Sequence, residues 1–165
     1  MTERTLVLLR HSKADHPSGT PDEQRPLTAR GHADAGAAGA WLARGGLRPD
    51  LVICSPAKRT RQTWHGVAVA LAGDAAPQVH YEQDVYDGGP DKLLALVRQA
   101  GDDVRTLLLI GHNPSVSMLS SLLDPTAPND SDGLRTSGLA VHRAATWAEF
   151  GRGRAALTAT HTARS

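Results

Sequence analysis

Three short runs of continuous apolar character punctuate the chain: "TLVLL" (5–9), "DLVIC" (50–54) and "TLLLI" (106–110). None alternates with polar positions, so each predicts a strand covered on both faces, as in a parallel sheet. A helical pattern follows each run. After the first comes "TARGHADAGAAGAWLARGG", with Thr28 as the expected N-cap, Ala33, Ala37, Ala40 and Trp41 on one face, and Gly45 or Gly46 as the stop. After the second comes "SPAKRTRQTWHGVAVALAG", where Ser55 is the expected cap, Pro56 the first helical residue, and Thr60, Trp64, Val67 and Leu71 recur at helical spacing. After the third, "NPSVSMLSSLLD" repeats the device, with Asn113 capping, Pro114 opening, and Val116, Leu119 and Leu123 facing inward.

A further helix, "DKLLALVRQAG" (91–101), precedes the third run, and a short strand near "QVHYE" precedes that helix. The tail reads as two strands, "GLAVHRAATW" and "AALTATHTAR", with only "AEFGRG" between them, a connection that implies an antiparallel pair at one sheet edge. The tract "DPTAPNDSDG" (124–133) reads as a polar loop. The predicted architecture is a three-layer α/β/α sandwich around a mostly parallel sheet with an antiparallel C-terminal edge, in a single domain spanning 1–165.

Composition changes this picture little. The 165 residues are 40% hydrophobic and 21% charged, an ordinary globule, and the net charge of +1 gives no global field toward nucleic acid or an anionic membrane. Anion recognition must come from a local cluster. Aromatics are only 4% of the chain, so the core must be built from Leu, Val and Ala. The single Cys54 excludes an intramolecular disulfide or a multi-cysteine zinc site and reads as a buried, inert thiol. The N-terminal apolar stretch is interrupted at Arg10, which fits neither a signal peptide nor a membrane span; the cytoplasm is the expected location.

The chemistry gathers where the strands end. Ligands of open α/β sheets collect at the carboxyl ends of the strands. There the first run delivers Arg10 and His11, the second leads to Arg59, and the third delivers His112. Two imidazoles and two guanidiniums beside two helix starts suit a tetrahedral dianion, each Arg gripping phosphate oxygens and the helix ends adding positive potential. A nucleophilic imidazole must be neutral, and Arg10 and Arg59 disfavour its protonated form. The same arginines would stabilise charge as a phosphoryl group moves to nitrogen, with His112 donating to a phosphoryl oxygen. No carboxylate cluster with metal-binding spacing is present, and no cofactor is expected. His16, His32, His65, His80, His142 and His161 have no metal-ligand spacing and read as structural or solvated.

Four stretches, "LLRHSKAD", "RPLTARG" (25–31), "SPAKRTRQT" (55–63) and "LLIGHNP" (108–114), in this order and at these intervals, resemble the histidine phosphatase (phosphoglycerate mutase-like) superfamily over about residues 5 to 143. The small size and the "RPLT" element look most like the SixA-type phosphohistidine phosphatases. The resemblance implies that His11 is phosphorylated during turnover and that Arg10, Arg59 and His112 complete the phosphate pocket. It also implies that the first and fourth strands lie side by side, with His11 next to His112. Arg25 and Asn113 become further substrate-binding residues; for Arg25 the competing expectation is a surface pair with Asp22 or Glu23. Two departures stand out. Ser12 replaces the usual Gly or Ala, and the general acid has no obvious occupant among Glu82, Asp84 and Asp87. The implied activity is metal-independent removal of phosphate from a phosphorylated substrate, protein phosphohistidine above all. The alternatives are a phosphomonoesterase or mutase on small phosphorylated metabolites, and a non-catalytic phosphate-recognition module.

Overall fold

The apolar runs become the centre of a six-stranded sheet in the computed structural model, which describes residues 3–73, 76–128 and 132–165. The strands are β1 (Arg4–Arg10), β2 (Leu51–Cys54), β3 (Gln78–Tyr81), β4 (Thr106–Gly111), β5 (Gly138–Ala144) and β6 (Ala156–Thr162). They lie in the order β3-β2-β4-β1-β5-β6. The first four are mutually parallel, while β5 pairs antiparallel with β1 and β6 antiparallel with β5. This is the expected α/β architecture with its antiparallel edge.

Side-chain alternation within each strand divides the core into two layers. Leu6, Leu8, Ile53, Leu107 and Leu109 face one side, against α4 (Pro90–Arg98) and α5 (Ser115–Leu123), with Leu93, Val97, Val116 and Leu119 packed on them. Val7, Leu9, Val52, Cys54, Leu108 and Ile110 face the other, against α1 (Ala29–Arg44) and α2 (Lys58–Leu71), with Ala38, Leu42 and Val67 packed there. Strands covered on both faces must be apolar at every position, which is why these runs do not alternate.

The helix faces and ends differ from expectation in three places. In α1 the buried stripe is Gly31, Asp34, Ala35, Ala38 and Leu42, while Ala33 is exposed. An Ala-rich segment carries little amphipathic contrast, and the buried carboxylate of Asp34 is offset by the Ser165 backbone N–H and the Arg164 guanidinium. Helix α2 starts at Lys58, so Ser55 and Pro56 precede it and the Ser55 hydroxyl does not cap it. Helix α5 starts at Ser115, and Asn113 is not its cap. The Thr28 cap is present: its hydroxyl accepts from the Gly31 N–H at 3.0 Å.

The segment between β3 and α4 contains a short helix, α3 (Gln83–Asp87), and the tail connection carries a 3-10 turn at Trp147–Glu149. In the polar tract 124–133, residues 129–131 lie outside the described residues; the rest is irregular. Among the described residues no helix is long and apolar enough to cross a membrane.

Two glycines set how closely the layers approach. A Cβ on Gly31 would strike the Lys13 carbonyl, so glycine lets the start of α1 press onto the loop that follows His11. A Cβ on Gly39 would meet the Val67 backbone and the Ala70 side chain, so glycine also lets α1 and α2 pack backbone to backbone.

Candidate active site

Strand register creates the site. Arg10 ends β1 and Gly111 ends β4, and these two residues are opposite partners in the parallel ladder. The next residues, His11 and His112, therefore sit side by side, with ring centroids 5.4 Å apart and planes inclined by 53°. Arg59 enters the same rim from the first turn of α2 and is almost fully buried.

His11 is held on all sides. Its N–H donates to the Gly111 carbonyl at 3.1 Å. Its Nδ1 lies 2.7 Å from the Ser12 carbonyl, which can only accept. The proton therefore sits on Nδ1, and Nε2 keeps its lone pair. Ser137, a buried residue in the left-handed region at φ 59°, shares its N–H between the Arg10 and His11 carbonyls. Its hydroxyl bonds that of Ser12. The Ser12 N–H donates to Thr63 Oγ1 at 3.0 Å, and the Thr63 hydroxyl donates to the Arg59 carbonyl at 2.7 Å. The departure at Ser12 is thus a buried link between the His11 loop and the helix that carries Arg59.

His112 is oriented by the residue expected to cap α2. The Ser55 hydroxyl accepts the Ala57 N–H at 3.2 Å and lies 2.8 Å from His112 Nε2. Ser55 is fully buried, and among the described residues its own O–H has no acceptor other than Nε2, so it donates there, which places the His112 proton on Nδ1.

Three buried side-chain nitrogens have no hydrogen-bond partner among the described residues: Arg10 Nε, Arg59 Nε and His112 Nδ1. Each is a donor, and an unpaired buried donor costs ~1–3 kcal/mol. All three belong to the four residues of this rim. Burial, joined by the Arg59, Arg10 and Arg25 charges, pushes His11 down to about 4 against the opposing bond to Ser12. Burial, with the Arg59 and His11 charges next, pushes His112 down to about 3. Both imidazoles are neutral at pH 7. Burial and the Arg59 charge also lower Arg10, whose Nη1 donates to the Leu134 carbonyl at 3.1 Å.

Arg25 pairs with Asp22 at 3.2 Å and also donates to the Asp15 carbonyl. The pairing expected at the surface is therefore present, yet the Arg25 charge still reaches His11. Asn113 uses both ends of its amide within the protein, donating to the Leu134 carbonyl and accepting from Ser117. The three candidate acids stand apart: among the described residues no hydrogen bond or ion pair joins Glu82, Asp84 or Asp87 to the rim, and the Asp87 carboxylate accepts from Gln83. No group of three or more His, Cys, Asp or Glu residues that could hold a metal occurs among the described residues.

The matches with known proteins follow this geometry. A family model described as the histidine phosphatase superfamily, branch 1, matches residues 6–84. A structure from Nakamurella multipartitia named SixA, a proposed phosphohistidine phosphatase, superposes with a TM-score of 0.83 at 33% identity, covering 99% of this chain and 98% of that one. The chain belongs to the histidine phosphatase superfamily. An uncharacterised protein of Mycobacterium tuberculosis strain H37Rv is 38% identical over 164 residues, spanning 94% of this chain and 100% of the relative. The protein histidine phosphatase SixA complexed with tungstate shares the fold, with a TM-score of 0.76 at 22% identity over 96% of each chain.

This superfamily member also brings to the rim residues that the sequence did not place there. Asp22 lies in a 3-10 turn (Asp22–Gln24) between β1 and α1. Its Oδ2 accepts from Arg59 Nη2 at 3.0 Å and from the Tyr86 hydroxyl at 2.6 Å, and its main-chain carbonyl accepts from Arg59 Nη1 at 2.7 Å. Tyr86, on α3, also stands edge-on to His112 with centroids 5.5 Å apart. The "PDEQRPLT" segment offered one clue to Asp22, the first of two adjacent acids before the motif arginine; Tyr86, Ser55 and Ser137 offered none. Cys54 is buried, and burial pushes its thiol up to about 12, as an inert core position requires.

Proposed function

We propose that the chain is a metal-independent phosphatase that works through a phosphohistidine on His11 and takes its phosphoryl group from protein phosphohistidine. The observation that carries the reading is the pairing of a neutral, Nδ1-protonated His11 with unpaired donors on Arg10, Arg59 and His112. His11 Nε2 attacks phosphorus, the bond from phosphorus to the leaving atom breaks, and its electron pair departs with the leaving group. Water then attacks the phosphohistidine and releases inorganic phosphate and His11. Arg10, Arg59 and His112 Nδ1 donate to the phosphoryl oxygens, whose charge grows in both transition states. Three arginine charges, Arg59, Arg10 and Arg25, supply the positive field.

Two features support a phosphoryl group carried on something large. The connection from His11 to α1 is pinned by an Ala14–Leu27 bridge and holds one three-residue turn, and that from β3 to α4 holds the five-residue α3. Neither builds a closing lid of the kind that sequesters small metabolites. The rim also lacks a positioned acid among Glu82, Asp84 and Asp87, and a phosphorylated imidazole needs less help in leaving than an alkoxide.

The test is kcat/KM on a panel of a phosphohistidine protein, a phosphoserine peptide and a sugar phosphate. The phosphohistidine protein should give the highest value. A sugar phosphate turned over far faster would replace this substrate with a small metabolite, and no turnover on any member would leave a recognition module.

A further inference from the structure

Binding a dianion does not call for an ionised carboxylate at this rim, yet Asp22 places one there. Its side chain is 52% exposed above an Arg59 side chain that is only 7% exposed, so the carboxylate sits at the mouth and the guanidinium beneath it. It touches three donors, Arg59, Arg25 and Tyr86, which together hold it well below the usual carboxylate range, the Tyr86 hydroxyl most strongly. It is ionised at neutral pH. A negative charge here weakens the field that draws in a dianion. Ion pairs this exposed add little stability. Its position suits the other partner of the scissile bond, the leaving group, which must lie toward solvent from the phosphoryl group.

Resting on the phosphohistidine reading above, we propose that Asp22 recognises the leaving imidazole: its carboxylate accepts a hydrogen bond from the substrate ring nitrogen that does not carry phosphorus. As His11 Nε2 bonds to phosphorus, the P–N bond to the substrate ring breaks and its electron pair stays on the leaving nitrogen. When the remote nitrogen carries a proton, the ring leaves as neutral imidazole rather than imidazolate. No proton then has to reach the leaving atom. Asp22 favours that protonated form in the bound substrate, which accounts for a rim without a positioned acid. An alcohol has no second ring nitrogen and gains nothing from Asp22, so the residue is a specificity determinant rather than a general catalyst.

The experiment compares wild type, Asp22→Asn and Asp22→Glu on a phosphohistidine protein, on free phosphohistidine and on p-nitrophenyl phosphate, whose phenolate leaves without a proton. Asp22→Asn should lose about 10- to 100-fold more kcat/KM on both phosphohistidine substrates than on the aryl ester, the range of a charge-assisted hydrogen bond. Asp22→Glu should restore part of that difference. A residue that only orients Arg59 would lower all three substrates by the same factor, and that equal loss would overturn the proposal. The wild-type ratios separate the two claims. If wild type shows no preference for phosphohistidine, the substrate reading fails. If wild type shows the preference and Asp22→Asn keeps it, only the role of Asp22 fails.

Discussion

Lowering the pH from 7 to 5 should destabilise the free protein through the two site histidines. Both are held neutral in the folded state, His11 at about 4 and His112 at about 3. In the unfolded chain each returns to the ordinary value of about 6.5. A depressed folded value means that the unfolded state binds more protons below pH 6.5, so stability is full above that value and falls as the pH drops toward the folded values. The loss is about 1.4 kcal/mol per pH unit per histidine, or about 2 kcal/mol each at pH 5 and about 4 kcal/mol for the pair. pH 5 lies above both folded values, so the figure depends almost entirely on the unfolded reference. His142 adds a contribution of the same sign, because burial lowers it and its ring is fixed between the Ala155 carbonyl and the Ser120 hydroxyl. Asp22 and Asp124 do not interfere in this window, since their lowered carboxylates titrate below pH 5 in both states. The assay is urea unfolding at pH 7 and at pH 5 for wild type, His11→Asn and His112→Asn. Each variant should lose about 2 kcal/mol less than wild type over that interval. Variants with the same pH dependence as wild type would show that these imidazoles are not held neutral, and would remove the basis for a nucleophilic His11.

Three further outcomes follow from the same geometry. Arg59→Lys keeps the charge but loses the planar fork and its Nε donor, so turnover should fall by about 10²–10³-fold in a folded protein. Exhaustive chelation should leave the activity unchanged; a loss reversed by a divalent cation would contradict arginine-based charge stabilisation. Gly31→Ala forces a Cβ against the Lys13 carbonyl and should cost about 1–3 kcal/mol in urea unfolding while lowering turnover, because the loop that must move begins at His11.

Much of the fold was legible because the decisive signals were local. Residues 107–110, for example, are apolar at every position, as a strand buried on both faces requires. Arg10, His11 and His112 could be assigned to one rim because each lies within two residues of the end of such a run. Helix starts were misread where a polar side chain had a distant partner. Ser55 and Asn113 look like caps, but Ser55 serves His112 across 57 residues and Asn113 serves Leu134 across 21. The inward face of α1 was misplaced because alanines carry little contrast and because Asp34, an apparent surface residue, is buried against the C-terminal residues. The place of Asp22 in the site was hidden for a similar reason, although its pairing with Arg25 was expected. Its partners Arg59 and Tyr86 lie 37 and 64 residues away, and only the fold brings them together.

The central claim is that His11 Nε2 carries the phosphoryl group during turnover, and trapping that species tests it most directly. Rapid quench of the enzyme with a phosphoryl-labelled substrate, followed by mapping of the modified peptide, should place the label on His11. The bond should be labile in acid and comparatively stable in base, the behaviour of a phosphoramidate, and His11→Ala should carry no label. Label retained by His11→Ala, or an acid-stable ester on Ser12 or Ser55, would contradict the account.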